Sequence, residues 1–412
     1  MAVNDLTFND LSEVLNEIVS QATGIKSQAP VDEASFVSVA QLGLKAGYDP
    51  LMTAISQVLS RTIFSERAYT PKFGGIRTTE QRFGAITRKL QVVDKEWLTD
   101  EKFNLVDEES IDHYTVRKPE VLQTNFYGAN TYMDYLTIYT EQLDNAFSGS
   151  AQFGEFISML MTNMTNRINQ AHENLARATI QNFVTGIYTT NSGYQIVNLL
   201  AEYNSETGSS LTTTTVFAPA NFDAFVKWVD ARISTISSLM ENRSALYHLN
   251  ITGKTIMRHT PARMQKIYML KSFLAQIKAR ALSGTYHDSY LDIADVEGVD
   301  FWQTLQSPES VEAVPVVLQA DGTLDSPDEA VEIPYLLGVM FDQEALGYTV
   351  VKHTVASTPL NAKGLYYNMY WHFTDRYWND FTENGVIFIL ADEGGGSSNL
   401  VDEAIVDEAL AG

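Results

Sequence analysis

Three observations predict an α+β chain of several modules. Apolar residues recur at intervals of three and four over residues 4–22 and, much further, over 151–187. They alternate with polar residues from about Tyr69 to Phe126 and again in the last sixty residues before the tail. At 412 residues the chain also exceeds the roughly 250–300 residues at which a single core stops growing. With 45% hydrophobic and 19% charged residues, the composition is that of a folded protein.

Residues 4–22 read as a helix carrying Leu11, Val14, Leu15, Ile18 and Val19 on one face, with Gly24 just past its end. A second helix starts near Asp32. A third takes Asp49 as N-cap and Pro50 as first helical residue, and runs through Met52, Ile55, Val58 and Leu59. These three are expected to form an N-terminal arm outside any core. The alternating segments "AITRKLQVV" and "HYTVRKPEVLQTNF" predict a long two-stranded excursion with a charged centre. Such a ribbon is marginal alone in water, so it needs a covering surface from the same chain or from another copy.

Ala151–Ile187 is the clearest single element, a helix roughly 55 Å long at 1.5 Å per residue. Its core face is predicted at Phe153, Ile157, Leu160, Met164, Ile168 and Leu175, Ser150 is placed to cap it, and Met159, Met161 and Met164 read as adaptable packing. Residues 190–335 read as an α/β module with a helix from Asn221, a cationic helix "TPARMQKIYMLKSFLAQIKARALSG" closed by Gly284, and a surface loop "LQADGTLDSPDEAVEIP". In "YYNMYWHFTDRYWND" the residues Tyr367, Met369, Trp371 and Phe373 fall on one side of a strand, and Tyr366, Asn368, Tyr370, His372 and Thr374 on the other. With the flanking "YTVVKHTVAS" and "GVIFILA" it predicts an antiparallel sheet lying on the long helix. After Asp392, "EGGGSSNLVDEAIVDEALAG" reads as a flexible linker and a small acidic segment.

The chain has no cysteine, which excludes disulfides, thiolate metal sites and Cys nucleophiles. Its start, "MAVNDLTFND", lacks the cationic and apolar regions of a signal peptide, and no apolar run nears the roughly 20 residues of a membrane helix. A protein made and used in the cytoplasm, without membrane contact, is expected. "NITGKTIM" ends like a phosphate loop at Gly253, Lys254 and Thr255, but the glycine required five positions earlier is His248, so it reads as a turn. His172 lacks the second histidine of a zinc helix and is expected on a polar helix face, and His372 and Asp375 stand three apart on a strand and do not converge. The aromatic strand has only Lys363 and Arg376 nearby, too few cations for stacking nucleic-acid bases. No active site, cofactor or metal site is predicted.

Net charge is −23, which argues against a general nucleic-acid-binding surface. The charge is segregated. Arg61–Lys95 carries eight Lys/Arg against three acids, and the next stretch carries Glu96, Asp100, Glu101, Asp107, Glu108, Glu109 and Asp112 against Lys102. Asn242–His287 holds eight bases and no acid, while Asp288–Val351 holds fourteen acids and no base. Such blocks either neutralise each other within one subunit or meet opposite blocks on a neighbouring copy.

The order of parts resembles the major capsid proteins of tailed bacteriophages. The resemblance is carried by "RKPEVLQTNFYGANTYMDYLTIYTEQLDNAF" leading into the long helix, and by "YYNMYWHFTDRYWNDFTENGVIFILA". It implies a Hong Kong 97-like α+β capsid fold: N-terminal arm 1–62, E-loop 63–126, peripheral domain 127–190 with its return strands 341–392, axial domain 191–340 and acidic tail 393–412. It implies a non-enzymatic subunit that self-assembles through pentamers and hexamers into an icosahedral or prolate shell around double-stranded DNA. Its location would be the virion capsid, assembled in the host bacterial cytoplasm. The implied partners are further copies, a portal, decoration or head–tail proteins, and weakly held DNA, with scaffolding either a separate protein or absent. E-loop contacts between subunits would involve Arg77, Arg82, Arg88, Lys89, Glu101, Asp107, Glu108 and Glu109. The Lys–Asn crosslink of some members cannot be assigned to Lys72 or Lys89. An encapsulin-like compartment shell and an acidic cytosolic enzyme with one deep pocket are the alternatives.

Overall fold

The computed structural model describes residues 8–25, 30–61, 72–77, 86–93, 95, 106, 114, 116–127, 129–190, 194–251, 256–281, 296–319 and 321–392. Three helices open the chain, α1 (Phe8–Thr23), α2 (Glu33–Lys45) and α3 (Tyr48–Arg61), followed by strands β1 (Ile86–Val93), β2 (Glu120–Tyr127) and β3 (Asn130–Tyr139). A short α4 (Thr140–Ala146) leads into the 41-residue α5 (Ser150–Thr190), then β4 (Ile196–Asn198), α6 (Leu199–Thr207) and α7 (Pro219–Glu241). Next come β5 (Gln265–Leu270), α8 (Lys271–Ala281), β6 (Val296–Val299), β7 (Val311–Ala313), β8 (Val317–Leu318), β9 (Leu324–Asp325) and β10 (Val331–Ile333). The last strands are β11 (Leu336–Asp342), β12 (Leu346–Ser357), β13 (Tyr366–Asn379) and β14 (Gly385–Ile389). No helix among the described residues is long and apolar enough to cross a membrane.

The chain divides into two compact units, each assembled from three separate segments. Unit 1 takes Met1–Ala85, Tyr127–Ala176 and Tyr348–Tyr377. Its sheet has the order β12-β13-β3, with β13 and β3 antiparallel from Tyr366 opposite Tyr139 to Asp375 opposite Asn130. The inward side chains Ile138, Tyr367, Met369, Trp371 and Phe373 join Phe153, Ile157, Leu160 and Met164 of α5 in one buried cluster. Each such side chain contributes about 1.5–3 kcal/mol when fully buried. Ile168 packs at the margin of this cluster, and Leu175 is half-buried. The N-terminal helices, expected as an arm, are part of the same core through Leu15, Ile18, Val19, Phe36, Ala40, Leu51, Met52, Ile55 and Val58. Their periodicity marks an apolar face but not the surface it covers, which here is supplied from the distant α5 and β13.

Helix entry also departs from expectation. Asp32 does cap α2, accepting from the Ser35 amide at 2.8 Å in a capping box. Asp49 instead lies inside the first turn of α3, which begins after Gly47 in a left-handed conformation (φ +100°). Ser150 does not cap α5 but is its first residue, and its amide donates to Glu33 Oε1 at 2.7 Å while its hydroxyl donates to Glu33 Oε2. A carboxylate at the positive end of a long helix is well placed electrostatically. The Ser150 hydroxyl and amide hold the Glu33 carboxyl below the usual range.

Unit 2 takes Ile86–Phe126, Arg177–Gly347 and Trp378–Gly412. Its main sheet has the order β4-β14-β11-β5-β6, antiparallel between β14 and β11 and between β11 and β5, and parallel at both outer pairs. Every residue of β11 and β14 is buried. Phe183 of α5 meets Phe341 and stacks on Phe381, and α7 buries Phe222, Phe225, Val229, Ile233 and Ile236. β1 and β2 pair with each other as a two-stranded sheet.

Three expectations are corrected here. Gln265–Leu270, read as the start of a cationic helix, is β5, and α8 begins only at Lys271. Its apolar run fits either period, and pairing between β11 and β6 decides for the strand. "GVIFILA" pairs with β11 and β4 rather than beside the aromatic strand, because alternation does not specify which sheet a strand joins. The stretch read as a surface loop, though largely exposed, holds β9 and β10. The residues Gly253–Thr255 and the acidic tail lie outside the described residues, as do the side chains of Met159 and Met161.

Two outcomes follow. Trp371→Ala costs about 3–5 kcal/mol of subunit stability in chemical denaturation, the usual range for truncating a buried aromatic. Glu33→Ala lowers the melting temperature at neutral pH. Because the folded pKa is depressed, the contribution is present above the ordinary value of 4.5 and is lost as pH falls through the folded value, so the gap between variant and wild type closes in acid.

Candidate assembly surfaces

β1 has two unlike sides. Leu90 and Val92 point outward, 66% and 65% exposed, while Gln91 and Val93 are buried and Lys89 turns in with them. Lys89 Nζ lies 2.9 Å from Asp380 Oδ2, pairs with Glu383, and lies 3.6 Å from Glu344 Oε2. Arg258 Nη2 reaches Glu383 Oε1 at 3.2 Å, and its Nε donates to the Thr382 carbonyl at 3.0 Å. Gln91 Nε2 donates to Thr382 Oγ1 at 3.2 Å. The turn before β14, with Glu344 from the turn between β11 and β12, thus makes a polar socket with three carboxylates around two cations. Burial works against the Lys89 ammonium, but Asp380 and Glu383 outweigh it and raise its pKa above the ordinary lysine value. Burial pushes the Glu383 carboxyl up, against the pull of Lys89 and Arg258.

Lys89 was expected to contact a neighbouring subunit, yet it is committed within its own chain. Of the other predicted contact residues, Arg77 is exposed and its backbone bridges to Tyr348 within unit 1, and Arg88 lies on β1. Arg82, Glu101, Asp107, Glu108 and Glu109 lie outside the described residues. Sequence reasoning missed Asp380, Glu383 and Arg258. The signal available was two acids in "NDFTENG", directly before the apolar "VIFILA".

In unit 1 the outward side of β3 and β13 carries rings in pairs. Tyr135 stacks on Tyr370 with centroids 5.5 Å apart, and Tyr139 meets Tyr366 edge-on at 6.1 Å. Inward, Asp375 is fully buried and its Oδ2 lies 2.9 Å from His172 Nε2, so His172 joins α5 to β13 instead of facing solvent. His372 points to the opposite side from Asp375 and does not meet it. Among the described residues no group of three or more His, Asp or Glu could hold a metal ion.

Lys89→Met leaves Arg258 as the one cation against the socket's three carboxylates and costs about 3 kcal/mol or more in denaturation, while adding Glu383→Gln recovers part of that loss.

The sequence profile of the Phi29-like phage major capsid proteins matches residues 12–389, from within α1 to the end of β14. A chain in the capsid structure of Staphylococcus phage Andhra is similar in fold, with TM-score 0.50 at 9% identity, over 80% of this chain and 87% of that one. A chain in the structure of the head fiber and inner core protein of native bacteriophage P68 gives TM-score 0.51 at 9% identity, over 81% and 87%. Nothing among curated proteins matches. The match spans the cores of both units, and the chain belongs to the Phi29-like phage major capsid protein family, as a structural, shell-forming subunit of the virion capsid.

Proposed function

We propose that the subunit uses a Hong Kong 97-like arrangement, in which residues 63–126 form an E-loop that lies across a neighbouring copy. The observation that carries this is the ribbon itself. Among the described residues β1 and β2 pair only with each other, and Leu90, Val92 and Val121 face outward on them. A two-stranded ribbon exposing branched aliphatics gains stability when another surface covers it. The alternating charge of Arg77, Arg82 and Arg88 against Glu101, Asp107, Glu108 and Glu109 would set the register of that contact. Lys89 is not part of this set, since its charge is used in the socket.

Copies joined head to tail in this way close into rings of five and six, and the rings into a shell around double-stranded DNA. The acidic net charge suits a wall that must release its DNA, binding it only weakly. A separate scaffolding protein, a portal and head–tail or decoration proteins are the partners this reading entails, with assembly in the host bacterial cytoplasm. The peripheral domain would combine 127–190 with 341–392, and the axial domain would be 191–340.

Light scattering followed by electron microscopy of the expressed chain tests the reading. Closed shells or rings of five and six are expected, and a monomer under every assembly condition, scaffold included, would overturn it. Arg82→Glu with Arg88→Glu is expected to lower shell yield about tenfold or more with the subunit melting temperature unchanged. Normal yield from that variant would remove charge matching as the determinant of register.

A further inference from the structure

The outward side of the β3–β13 pair is an unusual surface for this chain. In the five outward pairs from Thr131–Thr374 to Tyr139–Tyr366 there is no Asp, Glu, Lys or Arg, although the chain as a whole carries a net charge of −23. The carboxylate at the strand edge, Asp134, faces inward and is neutralised by Arg167 at 2.9 Å. Besides three threonines and Asn368, the surface carries rings and a thioether. Met133, Tyr135 and Tyr139 are 56%, 53% and 51% exposed, and Tyr370 lies between Tyr135 and His372 in a continuous stack.

We infer that this uncharged aromatic side is a contact between copies of the chain within the shell. The inference rests on the capsid reading and adds a surface to it. Copies that each carry a large negative charge repel, and they approach most easily where no carboxylate has to be desolvated. Tyrosine and methionine are among the residue types enriched in the cores of protein contacts, tyrosine because it buries large area with few rotors and methionine because its flexible thioether tolerates imperfect fit. The size of the surface sets its role. Five pairs on two strands cover about 300 Å² at roughly 3.4 Å per residue and 4.8 Å between strands. A stable dimer buries about 800 Å² on each partner, so this contact does not hold two copies together alone. It forms only when other contacts place the copies side by side, which makes it a contact of the assembled shell and not of the free subunit.

Hydroxyl-radical footprinting of the free subunit and of shells built from this chain tests the inference, with buried Trp371 as internal reference. Oxidation of Met133, Tyr135 and Tyr370 is expected to fall about fivefold or more on assembly, since a contact core excludes solvent. Unchanged oxidation in intact shells would overturn the inference while leaving the capsid reading standing. Protection that appears only in virions carrying additional proteins would assign the surface to another protein and overturn it equally. Failure of the wild-type chain to form any shell under every assembly condition, scaffold included, would overturn the capsid reading itself, and the contact with it. As a second readout, Tyr135→Glu is expected to abolish shells without altering the subunit melting temperature, and Tyr135→Phe to retain them. Normal shell yield from Tyr135→Glu would also overturn the inference.

Discussion

The register of β13 is the constraint on which unit 1 depends. Because side chains alternate, one residue of slip against β3 would turn Tyr367, Met369, Trp371 and Phe373 outward and bring Tyr366, Tyr370 and His372 against α5. Burial of four large side chains against Phe153, Ile157, Leu160 and Met164 makes that slip prohibitive, and the pairing of Asp375 with His172 adds a polar pin at the end of the strand. A strand held this firmly on one side can afford an uncommitted other side. The tyrosine stack is therefore presented on a surface whose geometry is fixed from behind.

Unit 2 uses the opposite strategy where β1 meets the body of the unit. The inward side of β1 offers Lys89 and Gln91 to Asp380, Thr382 and Glu383. Such contacts are directional, so they orient the ribbon, and much of their value lies in avoiding unpaired charge. The outward Leu90 and Val92 remain for another surface. Polar groups hold the ribbon in its own subunit, and the exposed apolar groups are the ones the proposed E-loop contact would cover.

Much of this was legible in the sequence, for physical reasons that also explain the misses. The 41-residue α5 and the two sides of β13 could be read because each satisfies one period over many residues. β5 could not, since a short apolar run suits helix and strand equally until β11 and β6 pair with it. The N-terminal helices were found, but their membership of a core was not, because amphipathicity does not name its partner. The Lys89 socket was hidden for a different reason. Lys89 and Asp380 alone stand 291 residues apart, and single charges in a sequence carry no pairing information.

The interleaving of the two units governs when either can exist. The core of unit 1 includes α1 near the start of the chain and Tyr367–Phe373 near its end, and the sheet of unit 2 has β14 between β4 and β11. Neither can close on the ribosome until nearly all of the chain has emerged, so both cores rest on contacts of very long sequence separation. A chain terminated before residue 366 lacks the aromatic strand of one unit and an internal strand of the other. It exposes apolar surface in both and becomes a substrate for chaperones and proteases instead of a building block. The topology thereby acts as a length check, admitting only fully translated chains to a structure in which one defective copy would leave a hole.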